Sequence, residues 1–316
     1  MFARSTIGAI IFALALIAEA PALAFEATTK EITEKSDTAE VTLAYPQFGI
    51  ASIDSEVEAF AKQKHAEFKE FFAERSATDQ PYSTDLSFEI ARNDDQMLEV
   101  LFTHSYYFGG AHPNMNRYSF NYLMPSAARV YVPELFTKEG FKRVSELAIA
   151  DLKPKLTGPD GMADAHQVEM GAGPFSDNFH AFVLTAEELA IYFDPYQVAA
   201  YAAGPQEVHI PLTKLNGRLR TDPTSPLPSF DCAKASTEME EVICADPAVA
   251  RLDREVADAY AWRLAWAQPE EKPGLKQTQR DWLAERDKTC GAVGGAQRTR
   301  CLSEHYGARL KVLRMA

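Results

Sequence analysis

Residues 222–229 read DPTSPLPS, and this stretch divides the chain of 316 residues into two unlike parts. It holds three prolines within six residues, which neither a helix nor a central strand tolerates, so we expect a stiff, extended linker. The charge changes at the same place. Residues 230–316 carry 14 basic and 14 acidic residues, whereas the rest of the chain holds the whole formal net charge of −13. We therefore predict two domains, residues 25–221 and 230–316, joined by this linker.

The first 24 residues have the pattern of a secretory signal peptide. Arg4 supplies a positive start, residues 7–18 are apolar or small, and Ala22 and Ala24 give the small-x-small pattern that signal peptidase needs. The apolar run is shorter than the ~20 residues needed to cross a bilayer core, so we expect no stable membrane insertion. The sequence predicts a periplasmic or secreted protein whose mature chain begins near Phe25.

All four cysteines lie in the second domain, at Cys232, Cys244, Cys290 and Cys301. In an oxidising compartment an even number of thiols usually pairs, so we expect two structural disulfides. The spacing argues against zinc, because no two cysteines are separated by only two to four residues and His305 is the one histidine in the segment. Three pairings are possible from the sequence, and pairing of neighbours closes the shortest loops. Each such loop stabilises the fold by about 3 kcal/mol.

The first domain mixes strands and helices without a strict βαβ rhythm. This pattern indicates an α+β domain with a mainly antiparallel sheet and packed helices. The predicted elements, in chain order, are a strand at 40–45, a helix with Ile53, Val57, Phe60 and Phe68 on one face, strands at 85–91, 97–107 and 118–123, a helix that starts near Thr137 and ends at Pro154, two strands within 178–194, and a strand at 208–212.

The second domain reads as a small all-α domain stapled by the disulfides. Three amphipathic helices are predicted, and Trp282 is expected to contribute to their core. A core of this size gains little stability on its own, so the disulfides matter. The apolar stripes contain Leu252, Val256, Tyr260 and Leu264 in the first helix, Leu275, Trp282 and Leu283 in the second, and Leu302, Tyr306, Leu310 and Leu313 in the third.

Residues 107–114, between two predicted strands, read YFGGAHPN. Gly109 and Gly110 allow positive φ angles, and Pro113 holds His112 in an extended conformation. The loop is either a tight connection that needs its glycines or a shaped loop that presents His112 and Asn114 to a partner, and the sequence leaves both interpretations open. We expect valine at Gly110 to fail through backbone strain.

The GGAH run at 109–112 resembles the signature of the RsiV-type extracellular domain. Residues 190–204, AIYFDPYQVAAYAAG, are similar to a second motif of that family, and Leu135-Phe136 resembles a third. The helix and strands before the loop look like the smaller domain that commonly precedes it. The resemblance spans about residues 38–220, and it implies a lysozyme receptor domain whose contacts include Gly109, Gly110, His112 and Asn114.

The second domain resembles the LprI-type lysozyme-inhibitor domain over residues 230 to about 314. This resemblance implies a lysozyme partner, and together with the short loops it favours the disulfides Cys232–Cys244 and Cys290–Cys301. The motifs that carry it are FDCAKA at 230–235, EVIC at 241–244, Leu252-Asp253, QRDWLAERD at 279–287, Cys301-Leu302 and Tyr306.

No catalytic motif is present in the sequence. The seven histidines are scattered, and no zinc-protease, serine-hydrolase or phosphate-loop pattern occurs. His104 and His112 could share a metal but lack a clear third ligand. Ion pairs are the simplest role for Asp253, Asp281 and Asp287, which have arginine neighbours. We therefore predict no enzyme activity, no catalytic residue, no metal and no cofactor.

The negative charge of the first domain disfavours nucleic acid and anionic membranes as partners, and it favours a basic protein. The sequence therefore predicts a secreted or periplasmic binding protein whose partner is a basic lysozyme-like protein. Two alternatives stay open. One is an envelope maintenance protein that binds peptidoglycan or another envelope protein, and the other is a cell-wall hydrolase of unfamiliar type.

Overall fold

A computed structural model describes residues 25–73, 81–224 and 227–315 of the protein. The predicted signal peptide, residues 1–24, lies outside these ranges. None of the helices in the described ranges combines the length and the apolar character needed to cross a membrane. The fold class predicted from the sequence is confirmed, with antiparallel-dominant sheets and helices in the N-terminal part and a disulfide-linked helical part at the C-terminus.

The N-terminal part begins with a six-stranded sheet whose strands follow the chain order. Neighbouring strands are antiparallel except β2 and β3, which run parallel because helix α1 connects them as a crossover. One face of α1 buries Ile53, Val57 and Phe68 against this sheet. The elements are β1 (Thr28–Lys35), β2 (Ala39–Gln47), α1 (Ala51–Ala73), β3 (Tyr82–Asn93), β4 (Met97–Tyr107), β5 (Asn114–Leu123) and β6 (Ala128–Val130).

A second layer packs beside this sheet and has its own core. Helix α3 buries Phe141, Val144 and Leu152 against a three-stranded antiparallel sheet in the order β7-β8-β9. Its elements are α2 (Val132–Leu135), α3 (Lys138–Leu156), α4 (Ala165–Gly171), β7 (Phe182–Leu184), β8 (Glu188–Phe193) and β9 (Gln206–Pro211).

Helix α3 begins where the sequence predicts, since the Thr137 side chain accepts a hydrogen bond from the Gly140 N–H at 3.1 Å. The expected end at Pro154 is wrong, because the helix continues to Leu156. A proline removes only its own N–H from the ladder of hydrogen bonds, so the residues after it can still donate. The Thr157 N–H does so, to the Lys153 carbonyl at 2.9 Å.

Glu99 links the two layers. Its side chain is fully buried on β4, and its carboxyl oxygens accept the Leu184 N–H at 2.9 and 3.2 Å. Burial raises the pKa of Glu99 to about 8, although this hydrogen bond opposes the rise. The side chain therefore holds a proton at neutral pH, which removes the cost of burying a charge between the sheets.

The C-terminal part has four helices in the range described, one more than the sequence predicts. The additional helix is α5, which has eight residues and so offers too few turns for a clear periodicity. The predicted disulfides are confirmed, with Cα–Cα distances of 5.8 Å for Cys232–Cys244 and 5.6 Å for Cys290–Cys301. The helices are α5 (Glu238–Ala245), α6 (Pro247–Trp266), α7 (Lys272–Gly291) and α8 (Gly295–Met315).

Helix α6 is tied to the N-terminal part through Glu134 of α2, which is only 7% exposed. The Nε atom of Arg251 lies 3.0 Å from the Glu134 carboxylate, and an Nη atom of Arg254 lies 3.5 Å from it. The Arg251 guanidinium also lies over the Tyr131 ring, 4.3 Å from its centre. The contact is therefore charged and largely buried, and it joins residues more than a hundred positions apart.

Candidate functional site

The loop at residues 108–113, called the glycine loop below, joins β4 to β5. Gly109 has a φ angle of 78°, and a Cβ atom there would lie 2.8 Å from the Tyr82 ring. Gly110 has no positive φ angle, and a Cβ atom on it would meet only the His112 carbonyl at 3.9 Å. The expectation of strain at Gly110 is therefore wrong, and the residue that needs to be glycine is Gly109.

His112 extends from the glycine loop onto two tyrosines of the 190–204 motif. Its ring stacks on Tyr201 with centres 3.7 Å apart and planes at 19°. The Nε2 atom lies 3.3 Å from the Tyr196 hydroxyl, and the Tyr201 hydroxyl donates to the Pro113 carbonyl at 2.7 Å. The two motifs that are 80 residues apart in the sequence thus form one surface, the aromatic cluster of His112, Tyr196 and Tyr201.

Tyr196 is the most exposed member of the aromatic cluster, with 56% of its surface accessible. Its φ angle of 72° is uncommon for a residue with a side chain. A large exposed ring held by an unfavourable backbone conformation often belongs to a functional surface, because the fold stabilises a shape it does not itself need.

Asp194 anchors the segment that carries these tyrosines. Its buried carboxylate accepts hydrogen bonds from the Asn116 side chain at 2.8 Å, the Arg117 N–H at 2.8 Å and the His180 ring at 3.1 Å. Gln197 accepts the Asp194 N–H through its side-chain oxygen at 3.1 Å. The base of the aromatic cluster is therefore fixed to β5, while its rings stay at the surface.

The His180 ring faces acceptors on both sides, the Asp177 carbonyl oxygen at Nδ1 and the Asp194 carboxylate at Nε2. Both nitrogens must then donate, which requires the charged form of the ring. Burial by itself lowers the pKa of His180, but the hydrogen bond and charge of Asp194 outweigh it, so the pKa is raised. The pair stabilises the loop base by charge compensation.

The other side of the glycine loop faces a shallow cavity of about 310 Å³. Glu40, Tyr107 and His112 contribute to its walls. Together with the aromatic cluster it forms a surface with exposed rings and a nearby carboxylate. Such a surface can stack on a flat group of a ligand and accept hydrogen bonds from it.

The structure places the four predicted contact residues close together but in different roles. Gly109 shapes the turn, Gly110 is exposed, and His112 belongs to the aromatic cluster. Asn114 is the first residue of β5, opposite Tyr106 of β4. The sequence did not reveal Asp194 or His180 as anchors. Asn116 lies 78 residues from Asp194 and His180 lies 14 residues from it, and no local pattern links such positions.

Among the described residues, His104 and His112 belong to no group of three or more side chains placed to hold a metal ion. His104 is buried on β4, with Nε2 2.9 Å from the Thr84 hydroxyl. Burial, with the charge of Lys64, lowers the pKa of His104 to about 4, so the ring is neutral at physiological pH. Cys290, Cys301 and His305 lie close enough to share an ion, but the two sulfurs form a disulfide and offer no thiolate.

Three of the LprI-type motif residues, Asp253, Arg286 and Tyr306, are buried inside the helical part. Asp253 accepts hydrogen bonds from the Tyr306 hydroxyl at 2.7 Å and from the Ser229 N–H and hydroxyl at 2.8 and 2.6 Å. Arg286 donates to the same Tyr306 hydroxyl at 2.7 Å. Asp253, Ser229, Arg286 and Tyr306 form what we call the buried polar network. It joins α6, α7 and α8 to the end of the linker, so these motif residues hold the fold together.

Asp281 and Asp287, by contrast, are exposed on α7. Asp287 pairs with Arg286 at 2.7 Å, which agrees with the predicted ion pair. Asp281 accepts from the Gln277 side chain at 2.7 Å. Trp282 is half-buried and packs 5.6 Å from the Tyr306 ring.

Three families of known proteins match successive parts of the chain. Residues 32–115 match the family described as "Deacetylase PdaC", and residues 133–213 match "Protein of unknown function (DUF3298)". Residues 232–313 match "Lysozyme inhibitor LprI". The predicted LprI-type domain is thus confirmed. The RsiV-type identification stays a prediction, since the matching family carries no function in its description.

One curated relative is the peptidoglycan-N-acetylmuramic acid deacetylase PdaC of Bacillus subtilis (strain 168). It is 28% identical over 183 residues, which cover 56% of this chain and 38% of the relative. The chain therefore spans well under half the length of that enzyme.

Two solved structures of DUF3298-family proteins resemble the chain. The protein from Bacteroides fragilis NCTC 9343 has a TM-score of 0.45 at 17% identity and covers 65% of this chain and 97% of its own. The protein from Pseudomonas aeruginosa PAO1 has a TM-score of 0.45 at 16% identity, with coverage of 63% and 97%.

Proposed function

We propose that the protein binds a basic lysozyme in the periplasm or outside the cell and inhibits it. The observation that carries this proposal is the match of residues 232–313 to the lysozyme-inhibitor family. The two disulfides are compatible with such a compartment, because disulfides persist where the environment is oxidising. The protein acts by binding, without catalysis and without a metal or cofactor.

The distribution of charge supports a basic partner. The formal net charge of −13 resides entirely before residue 230. A negative surface of this kind accelerates association with a positively charged protein and loses that effect in salt. The negative charge of the N-terminal part is therefore what attracts the basic enzyme.

The glycine loop and the aromatic cluster are the proposed contact on that surface. Tyr196 presents an exposed ring and His112 a partly exposed one, and Gly109 fixes the turn that carries His112. Aromatic side chains held rigidly in this way are typical anchors of protein interfaces, since little conformational entropy is lost when they bind. Gly110 and Asn114 flank the rings and complete the contact.

The direct test mixes the purified protein with a basic lysozyme and measures complex formation by calorimetry and lysis of a cell-wall suspension by turbidity. We expect a 1:1 complex and a loss of lytic activity in proportion to its formation. Association should slow markedly between low salt and ~0.5 M salt, where the Debye length falls to about 4–5 Å. A protein that neither binds nor inhibits lysozyme at low salt contradicts the proposal.

Variants locate the contact. His112→Ala and Asn114→Ala should weaken the complex while the thermal unfolding temperature stays close to that of the wild type. His209→Ala, an exposed histidine on β9 outside the aromatic cluster, is the matched control and should bind lysozyme normally. If both loop variants bind as well as the control, the contact lies elsewhere, and the exposed face of the helical part becomes the next region to test.

The similarity to a peptidoglycan deacetylase favours a second candidate, binding to the cell wall itself. Exposed aromatic rings stack on sugars as well as on proteins, so the aromatic cluster could serve either partner. Sedimentation with insoluble peptidoglycan tests this candidate. Retention in the pellet that His112→Ala abolishes supports wall binding, and release of acetate or soluble fragments would show that the protein is an enzyme after all.

A further inference from the structure

A cavity of about 160 Å³ lies where the helical part meets the N-terminal part. Phe175 and Asp177 contribute one wall, and Asp258, Trp262 and Leu313 contribute the other. A single water needs only roughly 10–15 Å³ of such volume, so the cavity has room for a small organic group. It is distinct from the aromatic cluster and from the buried polar network.

The walls of this cavity are more apolar than polar, and two of the lining residues are aromatic. The rings of Phe175 and Trp262 meet edge to face, with centres 6.4 Å apart and planes at 88°. Leu313, which is 3% exposed, adds an apolar surface. Aromatic rings attract organic cations because the faces of the rings carry negative charge, and the apolar walls suit an aliphatic stem.

Asp258 supplies a carboxylate with no partner. It is half-buried, and across residues 25–73, 81–224 and 227–315 no hydrogen bond or ion pair involves it. Arg254, one helical turn earlier, is already engaged with the Leu227 carbonyl at 3.0 Å and with Glu134. A half-buried carboxylate that makes no direct hydrogen bond or ion pair costs free energy even with Arg254 and Lys138 in its vicinity, and a cation entering the cavity would reduce that cost.

The charges around Asp258 come from three elements. Arg254 and Glu255 lie on its own helix, Asp177 lies on the opposite wall, and Lys138 lies on α3. Burial is the largest effect and raises the pKa of Asp258 to about 6, with Asp177 and Glu255 adding to the rise and the two cations opposing it. The carboxylate is therefore charged at pH 8 and neutral near pH 5.

We infer that this cavity binds an ammonium or guanidinium group on a short aliphatic stem, with Asp258 as the charge partner and Trp262 as the aromatic wall. The group comes either from a lysine or arginine side chain of a basic partner protein or from a free amine. The inference stands on the cavity and goes beyond the proposed function.

Calorimetry at pH 8 with two probes, N-acetyl-lysine methylamide and N-acetyl-arginine methylamide, tests the inference on the full chain. The neutral control is N-acetyl-norleucine methylamide, which keeps the stem of lysine and lacks its charge. We expect saturable 1:1 binding of at least one cationic probe, at least tenfold tighter than the control. Equal binding of all three probes, or none, overturns the inference.

The Asp258→Asn variant should weaken binding of the cationic probe at least tenfold and unfold at the same or a higher temperature at pH 8, because it removes an unpaired charge. The Asp95→Asn variant removes the same charge from the exposed turn between β3 and β4 and should bind like the wild type. In the wild type the affinity should fall as the pH drops through about 6, and in Asp258→Asn it should not. Unchanged probe binding by Asp258→Asn contradicts the inference.

Lysozyme distinguishes the two sources of the cation. If Asp258→Asn weakens the lysozyme complex tenfold or more, the cavity receives a side chain of the partner. If lysozyme binding is unchanged while probe binding is lost, the ligand is a free amine. A wild-type protein that binds the probes but not lysozyme would refute the proposed function and leave the cavity assignment intact.

Discussion

In the N-terminal part, the motif residues His112, Tyr196 and Tyr201 reach the surface, whereas in the helical part Asp253 and Tyr306 are buried. Residues of the helical set lie in the match to the lysozyme-inhibitor family, whereas Tyr196 and Tyr201 lie in the match to a family of unknown function. The aromatic cluster is rigid and exposed, as a contact surface must be. The buried polar network satisfies its own hydrogen bonds and offers nothing to a partner.

The difference teaches how far a motif can be trusted as a sign of function. In the helical part, the buried motif residues are signs of the fold, because a small core depends on disulfides and buried hydrogen bonds for its stability and its specific packing. In the N-terminal part, the motifs contain both kinds of residue. Phe136 and Asp194 are buried and hold the fold, whereas Tyr196 is exposed and His112 is partly exposed. Four measurements can break or sharpen this contrast.

The largest effect is expected for Asp253→Ala. This change leaves the Tyr306 hydroxyl and the Ser229 N–H without their acceptor and removes the carboxylate that lies 3.8 Å from Arg286. Breaking such a buried set costs about 3–5 kcal/mol. Chemical denaturation should show this loss in the free energy of unfolding, while Asp281→Ala on exposed α7 stays within ~0.5 kcal/mol of the wild type. A small effect of Asp253→Ala would mean that the network is not what holds the helices together.

The paired glycines should respond very differently to alanine. Gly109→Ala forces a side chain into a left-handed conformation, which costs roughly 1–2 kcal/mol, and brings Cβ to 2.8 Å from the Tyr82 ring. Gly110→Ala meets neither obstacle and should be close to neutral. Thermal unfolding of the two variants side by side gives the answer, and equal losses would show that the turn is not set by Gly109.

The pH dependence of stability tests Glu99. Its pKa is raised to about 8, so between about pH 4.5 and 8 the folded protein keeps a proton that the unfolded chain releases. The free energy of unfolding should therefore fall as the pH rises, by about 1 kcal/mol between pH 7 and pH 8. Glu99→Gln should remove this slope, and denaturation at both pH values in the two proteins isolates it. Identical slopes would show that Glu99 is charged when buried.

The smallest effect on stability is expected for His112→Ala. The ring stacks on Tyr201 at the surface, and such pairs contribute about 0.5–1.5 kcal/mol. We expect a loss of under ~1 kcal/mol because the His112 side chain is only partly buried. If the variant unfolds as easily as Asp253→Ala, the aromatic cluster is a structural element and the contrast between the two regions disappears.

The regular parts of the fold could be predicted because they leave local patterns. The alternation in β2, the apolar face of α1 and the cysteine spacing each specify an element within about 20 residues. Strand β1 left no such pattern, since TTKEITEK is exposed along nearly its whole length and shows no alternation of apolar and polar residues. It forms because β2 offers a free edge to pair with.

The candidate site could be predicted only in part. The glycine loop and the 190–204 motif were recognised as separate segments, but their contact arises from folding, with His112 and Tyr201 packed ring on ring. The Asn116–Asp194 hydrogen bond spans 78 residues and the Arg251–Glu134 pair spans 117. No local rule of sequence connects groups at such separations.

The contact between Glu134 and the arginines of α6 limits what the linker can do. A proline-rich segment between two free domains would let each search for its partner separately. Here the Glu134 carboxylate of the N-terminal part is covered by the guanidinium groups of Arg251 and Arg254 in the helical part. The surface of the N-terminal part and that of the helical part are therefore held at a fixed spacing. If one of these surfaces binds a large partner, the other surface is already close to that partner. Its effective concentration is then set by the fixed spacing and not by the length of the linker. Binding through both surfaces therefore raises the overall affinity only for partners that carry two sites at the same spacing.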